Sequence, residues 1–131
     1  MKKILFISPR NPFSGRYSGD VIRAKKFVHF LSRKNYVKVI SPNNFNLNKK
    51  ESRFSYQGFK SPNLFFTFVH IIRFAFNIKP LQLGYFYCPG IKEYVDENYK
   101  NFDIIFFQSF RTAPYLKMDF AGKSVLDMGD L

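Results

Sequence analysis

The stretch KKILFISPRNPFSGRYSGDVIRAKKFVHFLSRKNYVKVIS, residues 2–41, decides the fold class. Its continuous apolar run predicts a buried strand of a parallel sheet over residues 3–8. Apolar side chains then recur at helical spacing over residues 19–34, with basic residues on the other faces, which predicts an amphipathic helix. β-Branched residues alternate along residues 36–41 and predict a second strand. Strand, helix and strand in this order predict a βαβ unit.

The rest of the chain continues this alternation. A polar loop is expected over residues 41–52, and Ser61 followed by Pro62 predicts the start of an apolar helix. Further strands are expected over residues 53–59, 102–108 and 123–128. Further helices are expected over residues 62–78, 88–101 and, as one or two turns, 113–118. The alternation predicts an α/β fold with a mostly parallel sheet and gives no sign of an internal domain boundary.

The composition favours a globular domain with an uneven charge. Of 131 residues, 46% are hydrophobic and 20% aromatic, which is too apolar for a disordered chain. Residues 1–79 carry 16 Lys and Arg against two acidic residues, whereas residues 80–131 carry five against seven. A basic half attracts nucleic acid, anionic lipid or phosphorylated ligands, although a lysine-rich surface without any partner explains it equally. Nucleic acid is the least favoured partner, because no helix-turn-helix, zinc-finger or RNA-binding signature is present.

Two features bear on location. Cys88 is the only cysteine, so it cannot form an internal disulfide, which indicates an intracellular chain. A buried or incidental thiol is favoured over a nucleophile. The most apolar stretch, residues 62–78, contains His70 and Arg73 and barely reaches the length of a bilayer span. We therefore predict that it is a buried helix or a helix on a membrane surface, and not a transmembrane segment.

The long turn after the first predicted strand is the first candidate site. Gly15 and Gly19 lie four residues apart, in neither a dinucleotide-binding nor a P-loop motif. Backbone N–H groups and a helix N-terminus at this position suit a phosphate group. Ser18 or Gly19 would cap the helix, and Arg16 and Arg23 would meet an anionic group. A long surface turn with a helix cap is the alternative, and the sequence leaves both interpretations open.

Polar residues also follow the later strands. Gln108 can donate and accept hydrogen bonds, which suits a ligand rich in hydroxyl groups. Ser109 and Arg111 follow it, and an arginine pairs with phosphate or carboxylate groups; ordinary loop polarity is the alternative. Asp127 and Asp130 lie at the end of the last predicted strand. They are candidates for acid–base groups or metal ligands, and the favoured alternative is that they form a turn. Nothing else in the sequence completes a set of metal ligands.

These stretches resemble the N-terminal half of a retaining GT-B glycosyltransferase of the glycosyl transferase family 4 type, and most closely the bacterial sugar transferases that build surface polysaccharides. Residues 2–41 are similar to the family's first strand, Pro- and Gly-containing loop, Arg-bearing helix and next strand. Residues 101–131, NFDIIFFQSFRTAPYLKMDFAGKSVLDMGDL, are similar to its Phe-Asp strand, Ala-Pro-Tyr loop and a strand that ends in Asp. The family's usual His after the first helix is absent from NYVKVIS.

The resemblance implies a Rossmann-like three-layer domain on the acceptor side of a GT-B enzyme. It assigns a donor-phosphate loop to Gly15, Ser18, Gly19 and Arg23. It assigns an acceptor-side loop to Gln108, Ser109 and Arg111. No catalytic residue is assigned. We expect a fragment that is inactive alone, because the chain stops three residues after a predicted strand and the family's donor-binding Glu motif lies in a C-terminal domain.

The resemblance also implies the reaction and the partners. A sugar would pass from a nucleotide sugar, with no further cofactor, to a saccharide or lipid-linked acceptor in the synthesis of surface polysaccharide. The expected location is the cytoplasm, with peripheral attachment to the inner face of the plasma membrane. The alternative function is a non-catalytic basic α/β module that binds anionic membrane or phosphorylated ligands.

Overall fold

The fold is built around one β-sheet. The computed structural model describes residues 1–15, 17–44, 46–50, 53–76 and 87–128. The strands are β1 (Lys3–Ile7), β2 (Tyr36–Asn43), β3 (Leu47–Lys50), β4 (Phe54–Lys60), β5 (Ile104–Gln108) and β6 (Lys123–Asp127). The helices are α1 (Gly19–Leu31), α2 (Leu64–Phe76) and α3 (Pro89–Asn98). Across the described residues the six strands lie in the order β3-β4-β2-β1-β5-β6, and all neighbours are parallel except β3 and β4. The prediction of an α/β fold with a mostly parallel sheet is therefore confirmed, and the arrangement is Rossmann-like.

The central strand β1 explains its own continuous apolar run. Ile4 and Phe6 point to one face of the sheet, and Leu5 and Ile7 point to the other, since side chains alternate along a strand. Helix α1 covers the first face with Ala24 and Val28, and helix α3 covers the second with Ile91 and Val95. Because both faces are covered, every position of β1 after Lys3 is buried.

The edge strand β3 contradicts one prediction. Residues 41–52 were expected to form a loop, but β2 continues to Asn43 and β3 pairs antiparallel with β4, with Leu47 opposite Gly58. The sequence of β3 is LNKK, in which one side chain is apolar and three are exposed. An edge strand at the solvent needs no buried alternation, so its sequence resembles that of a loop.

Helix α2 begins and packs differently from the prediction. It starts at Leu64, and the side-chain oxygen of Asn63 accepts a hydrogen bond from the N–H of Phe66 at 2.9 Å. Asn63 therefore caps the helix, because Ser61 instead donates its N–H to the carbonyl of Asn43 at 3.0 Å and extends the sheet. Of the two alternatives for this helix, burial is wrong, since much of the apolar surface of α2 is exposed, and a position on a membrane surface stays a prediction. Residues 77–78 of the expected helix lie outside the described part of the chain.

Most other boundaries differ from the predictions by a few residues. Helix α1 ends at Leu31, and α3 ends at Asn98 and continues as a 3₁₀ turn over Tyr99–Asn101. The turn expected over residues 113–118 is a 3₁₀ helix over Phe110–Tyr115. In the part of the chain that the structure describes, no helix is both long enough and apolar enough to span a membrane.

Candidate ligand-binding crevice

A crevice is expected where the order of the parallel strands reverses, and in this sheet that point is β1. The chain places β2 on one side of β1 and β5 on the other, with Ile7 opposite both Ile40 and Phe107. The connection after β1 leads to α1 on one face of the sheet. The connection after β5 runs to the opposite face, where Tyr115 packs in the same cluster as Ile91 and Val95 of α3. Open α/β sheets bind their ligands at this kind of switch point.

Gln108 ties the two sides of the crevice together. Its side-chain oxygen accepts a hydrogen bond from the Ser8 hydroxyl at 2.8 Å, and its amide nitrogen donates to the carbonyl of Asp20 at 2.9 Å. Both Gln108 and Ser8 are buried. The Gln108 side chain thus fixes the start of the first loop and the start of α1. A direct contact between Gln108 and a ligand stays a prediction, and the structure shows a supporting role for its amide.

The N-terminus of α1 carries its own negative charge. The carboxylate of Asp20 accepts a hydrogen bond from the Ser18 hydroxyl at 2.7 Å and lies 3.6 Å from the Arg10 guanidinium. Burial alone would raise the pKa of Asp20, but the Ser18 hydroxyl, the Arg10 charge and the backbone N–H groups at the helix start outweigh it and lower the pKa. A carboxylate therefore lies at the helix end where the sequence analysis placed a phosphate.

The residues of the first loop have different local roles. Ser18 occupies the N-cap position of α1, but its hydroxyl bonds to Asp20 and not to a backbone N–H group. Gly15 has a φ of +78°, a left-handed conformation that favours glycine, whereas a Cβ added at Gly19 would contact nothing within 4 Å. Backbone conformation thus calls for glycine at Gly15 and not at Gly19. Arg16 lies outside the described residues.

Arg23 and Asp127 form a link that the sequence analysis missed. The guanidinium of Arg23 donates from Nε and Nη2 to the two carboxylate oxygens of Asp127, each at 2.9 Å. This bidentate pair joins α1 to the end of β6. Asp127 is thus positioned beside the predicted donor-phosphate residue Arg23 and offsets its charge. Asp130, the other carboxylate considered, lies outside the described residues.

Ser109 has an unusual backbone at the end of β5. Its φ of 74° and ψ of 149° fall in a region that glycine alone adopts readily. Its N–H donates to the carbonyl of Asp127 at 2.8 Å, and the Thr112 hydroxyl donates to its carbonyl at 2.9 Å. Its hydroxyl accepts from the N–H of Arg111, which places Arg111 in the same turn. The surrounding hydrogen bonds thus hold a strained, buried residue at the carboxyl end of β5.

Ser109→Gly should raise the free energy of unfolding by about 1 kcal/mol, because glycine relieves backbone strain that costs about 1–3 kcal/mol, less its own entropic cost. Urea denaturation followed by circular dichroism measures this change. Ser109→Ala is the matched control, since it removes the same hydroxyl but keeps the Cβ that causes the strain. Equal stabilities of the two variants would contradict the strain assigned to Ser109.

Other features lie away from this crevice or form no site. A surface groove of about 390 Å³ lies at the β3–β4 edge of the sheet, and β2 separates it from β1. Cys88 is buried, and burial raises the pKa of its thiol. Among the described residues, no three His, Cys, Asp or Glu side chains are grouped to hold a metal ion.

The structure brings together both predicted site stretches, since the loop after β1 and the loop after β5 meet through Ser8 and Gln108. Arg23 joins them through Asp127, whose backbone carbonyl binds Ser109.

Comparisons of the chain with protein-family models, with curated proteins and with solved structures found no match.

Proposed function

We propose that the chain is the acceptor-side domain of a glycosyltransferase, which moves a sugar from a nucleotide sugar to a saccharide or lipid-linked acceptor. The observation that carries the proposal is the switch point of the sheet, where polar residues after β1 and β5 lie together. The likeness of residues 2–41 and 101–131 to GT-B enzymes supplies the class of ligand.

The charges of the crevice favour hydroxyl groups over a diphosphate as the ligand of this domain. Arg10 faces Asp20, and Arg23 faces Asp127, so each of these two cations already has a carboxylate beside it. Carboxylates accept hydrogen bonds from sugar hydroxyls, and guanidinium groups donate to them. The exposed fractions of the Asp20 and Asp127 side chains are 15% and 11%, so both carboxylates lie mostly buried, and Oδ2 of Asp20 is buried without a hydrogen-bond partner among the described residues.

The proposed reaction assigns a limited part to these residues. The bond between the anomeric carbon of the donor sugar and the diphosphate oxygen breaks, and the nucleoside diphosphate leaves with the electron pair. An acceptor hydroxyl oxygen forms the new bond to that carbon and loses its proton to a base. The described residues orient the acceptor, which lowers the entropic part of the barrier. No catalytic residue is assigned among them.

An NMR titration tests the proposal. The ¹⁵N-labelled chain is titrated with UDP-glucose, UDP-N-acetylglucosamine, GDP-mannose, free UDP, pyrophosphate and oligosaccharides of glucose, galactose and mannose. We expect at least one saccharide to shift amide signals of residues 8–23 and 108–115. Asp127→Asn should weaken that binding, since it removes an acceptor charge beside Arg23. Asp96→Asn is the matched control, because Asp96 forms ion pairs with Lys92 and Lys117 and none with Arg23.

Two outcomes would overturn the proposal. The first is that no compound of the panel shifts the amides of the crevice. The second is that pyrophosphate and UDP shift them as strongly as any sugar compound does, and that 0.5 M salt abolishes the shifts. That result would favour the alternative module for phosphorylated ligands, whose binding is mainly electrostatic.

A further inference from the structure

Helix α2 presents an apolar face to solvent. Phe65, Phe68, Val69, Ile72 and Phe76 follow the spacing i, i+3, i+4, i+7 and i+11, which places them along one side of a helix. All five are exposed, with exposed fractions of 68% at Phe65, 61% at Phe68 and 84% at Phe76. We call these five residues the α2 stripe. Single exposed apolar side chains are common on protein surfaces, but a contiguous row of them marks an interaction site.

The opposite side of α2 faces the body of the domain. Thr67, His70 and Ile71 are half-buried there. The His70 ring packs edge-on against the Tyr87 ring, with ring centroids 4.9 Å apart. The Tyr87 ring stacks on the ring of the buried Tyr115, with centroids 5.8 Å apart. Burial and the nearby charge of Arg73 lower the pKa of His70, so its imidazole is neutral at pH 7. These contacts fix which side of the helix is left outward.

The sequence around α2 is free of negative charge. Residues 52–92 contain no Asp or Glu, while five cations fall in the same stretch. Arg73 lies beside the α2 stripe on the helix, and Lys60 ends the strand that leads to it; both are exposed. An apolar face bordered by cations is complementary to a surface that is apolar inside and negative outside.

We propose that the α2 stripe docks the domain onto an anionic lipid bilayer. The helix lies in the plane of the interface, its Phe side chains enter the boundary between headgroups and acyl chains, and nearby Lys and Arg side chains contact lipid phosphates. A second copy of this chain is a poorer occupant, because it would bring a net charge of +12 against a net charge of +12. The inference does not depend on the proposed glycosyltransferase activity.

Vesicle binding tests the docking surface. In cosedimentation, the chain should bind vesicles of 70% phosphatidylcholine and 30% phosphatidylglycerol much more strongly than vesicles of phosphatidylcholine alone. The triple variant Phe65→Ser, Phe68→Ser, Phe76→Ser should weaken that binding by at least about tenfold, since it removes three apolar anchors. Phe30→Ser is the matched control, because Phe30 is a similarly exposed phenylalanine on α1 and should leave the binding unchanged.

A tryptophan probe gives an independent readout on an otherwise intact domain. The chain contains no Trp, so Phe68→Trp places the single tryptophan of the variant in the α2 stripe, where its emission can be excited apart from that of tyrosine. Its emission should shift to shorter wavelength with anionic vesicles and be quenched by brominated acyl chains, whereas Phe30→Trp should show neither effect. Binding to neutral and anionic vesicles alike, full binding by the triple variant, or an unquenched Phe68→Trp variant would each overturn the proposal. A dimer that forms without lipid and is abolished by the triple variant would overturn it in favour of self-association.

Discussion

Phe6→Ala should lower the free energy of unfolding by about 3–5 kcal/mol, the range for truncation of a buried phenylalanine. Phe6 is fully buried in the central strand and stacks on Phe106 of β5, with ring centroids 4.9 Å apart. Because β1 is paired on both sides, to β2 and β5, its backbone cannot move to fill the cavity. Urea denaturation followed by circular dichroism measures the loss.

The expected loss is large beside the total stability of about 5–15 kcal/mol of an ordinary domain. Phe30→Ala is the control for phenylalanine truncation as such. The exposed fraction of Phe30 is 65%, so its removal should change the free energy of unfolding by no more than about 0.5 kcal/mol. Similar losses from both variants would contradict the position of Phe6 in the core.

Gln108→Leu should lower the free energy of unfolding by about 1–3 kcal/mol, because it removes a buried donor and acceptor whose partners are the buried Ser8 and the half-buried Asp20. The Ser8 hydroxyl would lose one of its two acceptors, and the carbonyl of Asp20 would lose the amide donor. Amide hydrogen exchange should also quicken over residues 10–22, since the first loop and the start of α1 lose their tie to β5. Urea denaturation and exchange monitored by NMR measure the two effects.

Gln57→Leu is the matched control for the change of glutamine to leucine. Gln57 is half-buried on β4, beside the groove at the sheet edge and away from the crevice. It should leave exchange at residues 10–22 unchanged. If Gln108→Leu also left that exchange unchanged, Gln108 would not be the tie between the two loops.

The regular core could be predicted because its signals are local. The apolar run at β1, the helical spacing of Val21, Ala24 and Val28, and the alternation in β2 each lie within a few residues. These patterns indicate which side chains must be buried. The burial of the sheet between α1 and α3 follows from them. Apolarity alone does not determine where a helix lies, so the sequence left burial and a membrane surface open for α2, and the structure shows its apolar stripe exposed.

The candidate site was harder to predict because its contacts are distant in sequence. Ser8 and Gln108 are 100 residues apart, and Arg23 and Asp127 are 104 residues apart, so no spacing pattern connects them. The strained backbone of Ser109 could not be predicted from its residue type, since serine is common in ordinary turns. The sequence placed both loops at the carboxyl edge of the sheet, but it could not reveal that Arg10 and Arg23 are paired there with carboxylates.

The position of β1 between β2 and β5 has a consequence for synthesis on the ribosome. After β2 emerges, β1 can pair on one side only, because its second partner begins at Ile104. At about 5–20 residues per second, the interval before β5 emerges is on the order of ten seconds. During that interval the apolar strand β1 is an open edge, which is a template for pairing with other chains. We therefore expect nascent chains that end before β5 to associate with one another more readily than chains that include it.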